Sequence, residues 1–177
     1  MKIELDQLTP HIPRLRRYAR ALLGDVVSAD DLVQDTLERA LSKFSLWRRS
    51  YDLRAWLFTI MHNIYINQWH AANRRAHLSV DAHNVDAPAV EASQEDELAL
   101  RDMNRALTQL PHEFREVVLL VGLEQLSYDE VARVLDIPKG TVMSRLSRGR
   151  DKLRQLMAGN TATTATAVSE AALRRVK

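Results

Sequence analysis

Apolar positions along this chain recur three and four residues apart rather than alternating, so helices are the elements to expect. A first helix is predicted from about Pro13 to Leu23, with Leu15, Tyr18, Ala19 and Leu22 facing inward and Gly24 as its stop. Ser28, followed three residues on by Asp31, is placed to cap a second helix. In that helix Val33, Leu37, Ala40 and Phe44 form the inner stripe, while Asp31, Asp35 and Glu38 share the opposite side. A third helix from about Leu53 to Asn73 turns Leu53, Leu57, Ile60 and Ile64 inward. Trp56, Asn63, Asn67 and His70 fall on its second face, and Phe58, Tyr65 and Trp69 on a third. So apolar a circumference belongs either in the middle of a bundle or against a partner.

Periodicity is lost from about Ala76 to Ala92, a stretch that reads as an extended, mobile acidic linker. It returns near Ser93, ends before Leu110-Pro111, and resumes over His112 to Leu123. Then comes the most informative segment, residues 126–153. Ser127 and Glu130 have the spacing of a capping box, and Val131, Ala132 and Leu135 give a short apolar face. Asp136 to Gly140, with Pro138 inside, should end that helix and redirect the chain. Val142, Leu146, Gly149 and Leu153 then recur as one buried stripe, which turns Ser144, Ser147 and Arg148 outward with Met143 and Arg145 on the flanks. A short capped helix, a tight turn and a basic second helix form the pattern of a DNA-reading helix-turn-helix, against the plainer reading of a helical hairpin with a solvated basic face. The tail after Met157 reads first as disordered, with a last short helix over Ser169 to Val176.

The expectation is therefore an all-α protein of two small helical domains joined by a flexible linker. The first, of three to four helices, spans residues 1–77. The linker spans 78–93, the helix-turn-helix domain 94–157 and the tail 158–177. Composition agrees, with 46% hydrophobic residues and only 5 Gly and 5 Pro. No cysteine is present, which excludes disulfides and thiolate metal sites and suits a reducing cytoplasm. The amino terminus lacks a signal-peptide layout, and no apolar run approaches the ~20 residues that cross a bilayer. The net charge of +2 conceals a strong segregation. Residues 1–77 carry 12 Lys/Arg against 8 Asp/Glu, 78–104 carry 1 against 7, 105–136 carry 3 against 6, and 137–157 carry 6 against 1. Two basic regions separated by acidic ones point to two polyanion-binding surfaces.

The third helix and the residues after it interleave aromatics, amides and Arg, a mixture that holds unpaired nucleic acid by stacking, edge hydrogen bonds and phosphate contacts. Asn63 and Asn67, one turn apart, could line a pocket for an unstacked base, while any single aromatic of the segment is more readily read as core. The six histidines show no metal-ligand spacing, and no phosphate-binding glycine loop, nucleophile elbow or paired-carboxylate cleft is found, so enzymatic readings and cofactors are not expected.

Four motifs in order, Asp30-Asp-Leu-Val-Gln-Asp-Thr-Leu-Glu-Arg-Ala, Arg54-Ala-Trp-Leu-Phe-Thr-Ile-Met-His-Asn, Leu110-Pro with Arg115, and Gly140-Thr-Val-Met-Ser-Arg-Leu-Ser-Arg-Gly-Arg, resemble the bacterial sigma factors of the extracytoplasmic-function (ECF) group over residues 13–157. The resemblance implies a promoter-selecting subunit of RNA polymerase, cytoplasmic and on the nucleoid when in the holoenzyme. It implies docking of Asp31, Leu32, Gln34, Asp35 and Glu38 on the polymerase clamp coiled coil, with the polymerase flap as a further contact. It implies −10 recognition and melting by Asn63 and Asn67 with Arg54, Trp69, Arg74 and Arg75, and −35 reading by Met143, Ser144, Ser147 and Arg148 with Lys139, Thr141 and Arg145 near phosphates. An anti-sigma protein is the expected regulator. Met143 and Ser147 depart from what many relatives carry, which shifts the expected −35 readout toward Arg148 and DNA shape, and Asn67 stands in the −10 segment where many relatives have Asp. Two other classes compete: a stand-alone helix-turn-helix regulator, and a sigma mimic that only titrates an anti-sigma.

Overall fold

The computed structural model describes residues 6–47, 52–76 and 94–174, and these are helices and their connections without a strand among them. After a 3-10 turn at Thr9–His11, α1 runs Ile12–Leu23 with Pro13 in its first turn, where a missing N–H costs nothing. Leu15, Tyr18, Ala19 and Leu22 are buried as expected. Gly24 closes α1 at φ 74° and its N–H meets the Arg20 carbonyl at 2.8 Å. Helix α2, Val26–Ser42, starts earlier than its pattern predicts. Asp25, not Ser28, is the cap, and its carboxylate accepts from the N–H of Val27 at 3.4 Å and of Ser28 at 2.8 Å. Only Gly24 and Asp25 lie between the helices, so Asp25 falls at the cap position, and a charged acceptor suits the positive end of α2. A second 3-10 turn, Phe44–Leu46, leads toward α3, Leu53–Ala76, which is longer than expected.

Helix α3 resolves the ambiguity of its three faces. Leu57, Phe58, Ile60, Met61, Ile64 and Tyr65 are all buried, so two of the three aromatics on its third face are core. Phe58 meets Tyr18 of α1 edge-on, with ring centroids 5.1 Å apart and planes at 69°. Thr36, buried in α2, spends its hydroxyl on the Leu32 carbonyl at 2.7 Å, one turn back.

After residues 77–93, where the expected linker lies outside the described residues, come α4 (Gln94–Gln109), α5 (His112–Gly122), α6 (Tyr128–Val134) and α7 (Lys139–Arg174). Ser127 caps α6 through a reciprocal box: its hydroxyl accepts from the Glu130 N–H at 3.3 Å, and the Glu130 carboxylate accepts from the Ser127 N–H at 2.8 Å. Asp136 at φ 51° turns the chain, and the Pro138 carbonyl accepts from the N–H of Thr141 and Val142, so α7 has already begun at Lys139. Gly140 thus lies in the first turn of α7 rather than in the connection. Nor does α7 stop at Met157. Its backbone stays helical to Arg174, through the stretch expected to be disordered. That stretch, residues 158–168, contains no proline and four alanines, and a helix already nucleated by packing extends without a new nucleation cost.

Val117, Leu119 and Leu120 of α5, Val131 and Val134 of α6 and Val142 and Leu146 of α7 form the core of the helix-turn-helix half. The larger surprise is that this core is continuous with that of α1–α3. Helix α1 packs on α4 and α5, and α3 packs on α6. The two helical units are docked together rather than separate. Gly24 also serves this docking, because a Cβ there would stand 2.7 Å from Cγ2 of Thr108 on α4.

One glycine tests the α5–α7 contact. A Cβ on Gly149 would lie 2.8 Å from Cγ2 of Val118 and 3.3 Å from Cβ of Phe114, both on stiff or near-backbone atoms. Alanine gains about 1 kcal/mol of helix propensity at most, against an overpacking cost of about 1–3 kcal/mol. Gly149→Ala should therefore lower stability by up to about 2 kcal/mol in urea titration; a more stable variant would show the contact to be looser than described.

Candidate nucleic-acid interface

Helix α7 places its packed stripe and its outer row as its spacing predicts. Val142, Leu146 and Gly149 are buried, while Ser144, Ser147 and Arg148 are exposed and Thr141 and Arg145 are half-buried on the flanks. Met143 is 52% exposed, a large apolar group facing solvent beside these polar ones. Ser144 donates to the Thr141 carbonyl at 3.1 Å, which orients its hydroxyl. Lys139 is tied back to Asp129 of α6 at 2.9 Å, so its ammonium joins the two helices of the motif as well as facing outward. The result is a rigid row of side chains on a helix held from behind by a capped helix. Such a row can enter a DNA major groove.

On α3, Asn63 and Asn67 are both exposed and one turn apart, with His70 and Arg74 exposed further along. The side chain of Arg75 is outside the described residues. Two members of the same expected set are not free. Trp69 is half-buried with its ring centroid 4.0 Å from that of His112 on α5. Arg54 is engaged three ways, with Asp52 at 3.5 Å, the Glu124 carbonyl at 3.3 Å and Glu130 at 3.9 Å. On α2, Asp31, Gln34, Asp35 and Glu38 form an exposed acidic face, internally braced by Gln34 donating to Glu38 at 3.1 Å and linked to α3 by Gln68 donating to Asp35 at 3.3 Å. Leu32 does not share that face. It is fully buried on the core side of α2, so it positions the acidic row and offers no surface of its own.

Sequence reasoning missed the polar groups between the two units. Glu124 is buried, with its side chain shut off from solvent, and takes Arg17 of α1 at 2.8 Å; Arg17 also donates to the Leu123 carbonyl. Glu116, 3% exposed, receives His62 of α3 at 2.6 Å, while His112 Nδ1 stands 3.9 Å away, an electrostatic neighbour beyond hydrogen-bonding range. Arg115 spends its guanidinium on three carbonyls, those of Leu22, Thr108 and Leu110. A signal was present: Glu116 and Glu124 flank an apolar run, Val117 to Leu123, where a buried charge requires a partner. Burial raises the Glu116 carboxyl, but the imidazoles of His112 and His62 outweigh it and hold the group below the ordinary carboxylate range. Tyr65 nearby is pushed up to about 12, mainly by burial with Glu116 adding. Among the described residues, no group of three or more His, Asp or Glu could hold a metal ion, and no helix is long and apolar enough to cross a membrane.

Comparison with known proteins converges on one family. Residues 8–62 match the family model described as the Sigma2 domain of PhyR, and residues 100–153 match Sigma-70, region 4. The chain is 34% identical over 152 residues to the ECF RNA polymerase sigma factor EcfG of Rhodopseudomonas palustris, covering 86% of this chain and 83% of that protein. Among solved structures, the sigma factor RpoE in complex with the anti-sigma factor NepR from Bartonella quintana aligns with a TM-score of 0.79 at 34% identity, over 89% of this chain and 98% of that one. CnrH in complex with the cytosolic domain of CnrY aligns at 0.63 and 26% identity, over 87% and 86% of the two chains. The chain belongs to the ECF family of RNA polymerase sigma factors.

The depressed Glu116 carboxyl has a testable consequence. A group held below its ordinary value of 4.5 contributes stability that is fully present above that value and is lost as pH falls through the folded one. The groups facing it are His62 and Tyr65 of α3 and Arg115 and His112 of α5, with Tyr18 of α1 within electrostatic range. In thermal melts from pH 7 down to 3, wild type should exceed Glu116→Gln above pH 5 and the gap should close toward pH 3. A constant gap would mean that the charge of Glu116 carries none of its contribution.

Proposed function

We propose that this chain is the promoter-recognition subunit of a bacterial RNA polymerase: it binds the core enzyme, reads −10 and −35 elements and promotes strand opening, under the control of an anti-sigma protein. The observation that carries this reading is the exposed row Met143, Ser144, Ser147 and Arg148 on α7, backed by Val142, Leu146 and Gly149, in a chain of this family. In this assignment the row reads the −35 duplex, and Lys139, Thr141 and Arg145 lie toward phosphates. Arg148 is the side chain suited to a bidentate contact with guanine. Asn63 and Asn67 project amides into solvent where an extruded −10 base can be held, with Arg54, Trp69, Arg74 and Arg75 for phosphate or stacking. The acidic row Asp31, Gln34, Asp35 and Glu38 supplies acceptors for a basic polymerase surface on the clamp, and the flap is the second polymerase contact.

No covalent step is needed. Melting costs a few kcal/mol per unstacked base step, offset by capture of the flipped base, and the polymerase supplies the strand chemistry. Two weak DNA modules in one chain gain affinity through effective concentration once the polymerase sets their separation. The chain acts where polymerase and chromosome are, in the cytoplasm. Control by an anti-sigma is supported by the likeness to RpoE, which is solved with NepR, and to CnrH, which is solved with CnrY.

A second reading is favoured by one finding: the match of residues 8–62 to the PhyR model and the likeness at TM-score 0.62 and 25% identity to the PhyRSL–NepR complex from Sphingomonas sp. Fr1. On it the chain would only titrate an anti-sigma. Run-off transcription with purified core polymerase separates the two, since initiation dependent on this chain is expected only of a true sigma. Within that assay, Arg148→Ala should weaken −35 recognition by about 1–3 kcal/mol, whereas Asn63→Ala should impair opening, read by permanganate reactivity, more than duplex binding. Equal losses at both steps in both variants would contradict this division.

A further inference from the structure

Among the described residues three large apolar side chains stand well exposed, Val27, Leu100 and Met143. A single exposed apolar group is ordinary on a protein surface. Met143 differs in its setting. Beside it on α7 the hydroxyls of Ser144 and Ser147 and the guanidinium of Arg148 are exposed, with Lys139 and Arg150 exposed on the same helix. A thioether among hydroxyls and cations has no apolar neighbour at the surface to share its hydration. Nor does it belong to an apolar patch of the kind that seats another protein, since the rest of the outer row is polar. It suits a partner that is polyanionic and carries apolar groups one at a time.

Duplex DNA is such a partner. The apolar group of its major-groove edge is the 5-methyl of thymine, and the paired adenine shows an amine on the same edge. Successive helical residues are turned by about 100°. Met143 and Ser147 therefore share one edge of the outer row, and Ser144 and Arg148 share the other. Ser144 spends its proton on the Thr141 carbonyl at 3.1 Å, so outward it offers lone pairs alone. A hydroxyl in that state accepts from the amine of adenine or cytosine and is mismatched to the acceptors of guanine and thymine. Side by side and turned apart, Ser144 and Met143 match the two halves of one A·T pair, amine and methyl. Arg148 lies a helical turn further on, about 5.4 Å, more than one base step, and is left to a neighbouring pair. Gly140, exposed in the first turn with nothing within 4 Å of where a Cβ would stand, leaves that end of the row bare, so it can sit close to the bases.

We propose that Met143 is a specificity-determining residue of this chain, packing on the 5-methyl of a thymine in the −35 element while Ser144 accepts from the adenine paired with it. This rests on the −35 assignment above and deepens it. Arg148 contributes charge and a hydrogen-bonding fork, neither of which separates thymine from its methyl-free analogue uracil. The thioether does so by contact alone. Its unbranched, flexible chain lets it meet the methyl from the flank of the row. One buried methyl is worth about a fourfold change in affinity.

The test uses the full chain bound to core polymerase. Selection from duplexes randomised upstream of the start site supplies a −35 sequence, and each of its thymines is then replaced singly by deoxyuridine, which removes the methyl and nothing else. In competition binding, wild type should lose about fourfold at one of these positions and keep its affinity at the others. Met143→Ala should lose at least as much on the thymine duplex and should not tell the two duplexes apart. Met143→Leu, apolar and of similar reach, should keep the discrimination. Arg148→Ala should weaken both duplexes alike and leave their ratio as in wild type. Uridine tolerated at every position, or Met143→Ala as sensitive to uridine as wild type, overturns the methyl contact. If that happens while Arg148→Ala still weakens binding, the −35 assignment stands and this inference alone is lost. If no upstream sequence is selected, or if Arg148→Ala binds as wild type does, the −35 assignment fails and the role of Met143 fails with it.

Discussion

Two carboxylates without solvent, Glu116 and Glu124, set the relation between the halves of this molecule. A carboxylate taken out of water costs several kcal/mol unless charge and hydrogen bonds replace its hydration. Here the replacement comes chiefly from the other helical unit, Arg17 for Glu124 and His62 for Glu116. An apolar patch tolerates many registers of packing; an ion pair at 2.8 Å and a hydrogen bond at 2.6 Å tolerate few. The polar contacts therefore specify one docking of α1 and α3 against α5 and α6. The neighbouring apolar surface supplies the attraction.

The surfaces assigned to partners are carried on helices whose opposite sides are fully packed. The acidic row of α2 stands over Ala29, Leu32, Val33 and Thr36, and the outer row of α7 over Val142 and Leu146. This arrangement fixes the direction of each exposed side chain by rigid packing rather than by loops, as precise recognition demands. The acidic row of α2 and the outer row of α7 remain exposed while the units are docked, whereas Arg54 and Trp69 are engaged at the junction.

The helices themselves, the capping box at Ser127 and Glu130, the buried stripes and the exposed Ser144, Ser147 and Arg148 were legible because each depends on residues within one or two turns. Where local reasoning slipped, a neighbour a few residues away decided the matter. Gly24 ended α1 so close to α2 that Asp25 became the cap, and the packed start of α7 carried the helix past Met157 without a stop signal. The buried Leu32 shows a further limit, since a motif names the residues of a helix without saying which of them face the partner.

Periodicity and charge pattern alone determined an all-helical chain with a DNA-reading motif, an amide-bearing helix and an acidic face, because helical geometry converts spacing directly into faces. The docking of the two units was decided only in three dimensions. Arg17 and Glu124 are 107 residues apart and His62 and Glu116 are 54 apart, and no local pattern records which distant charge will meet which. That pairing is settled when two complementary surfaces close and water leaves between them, and it determined which expected DNA contacts stand free and which are held.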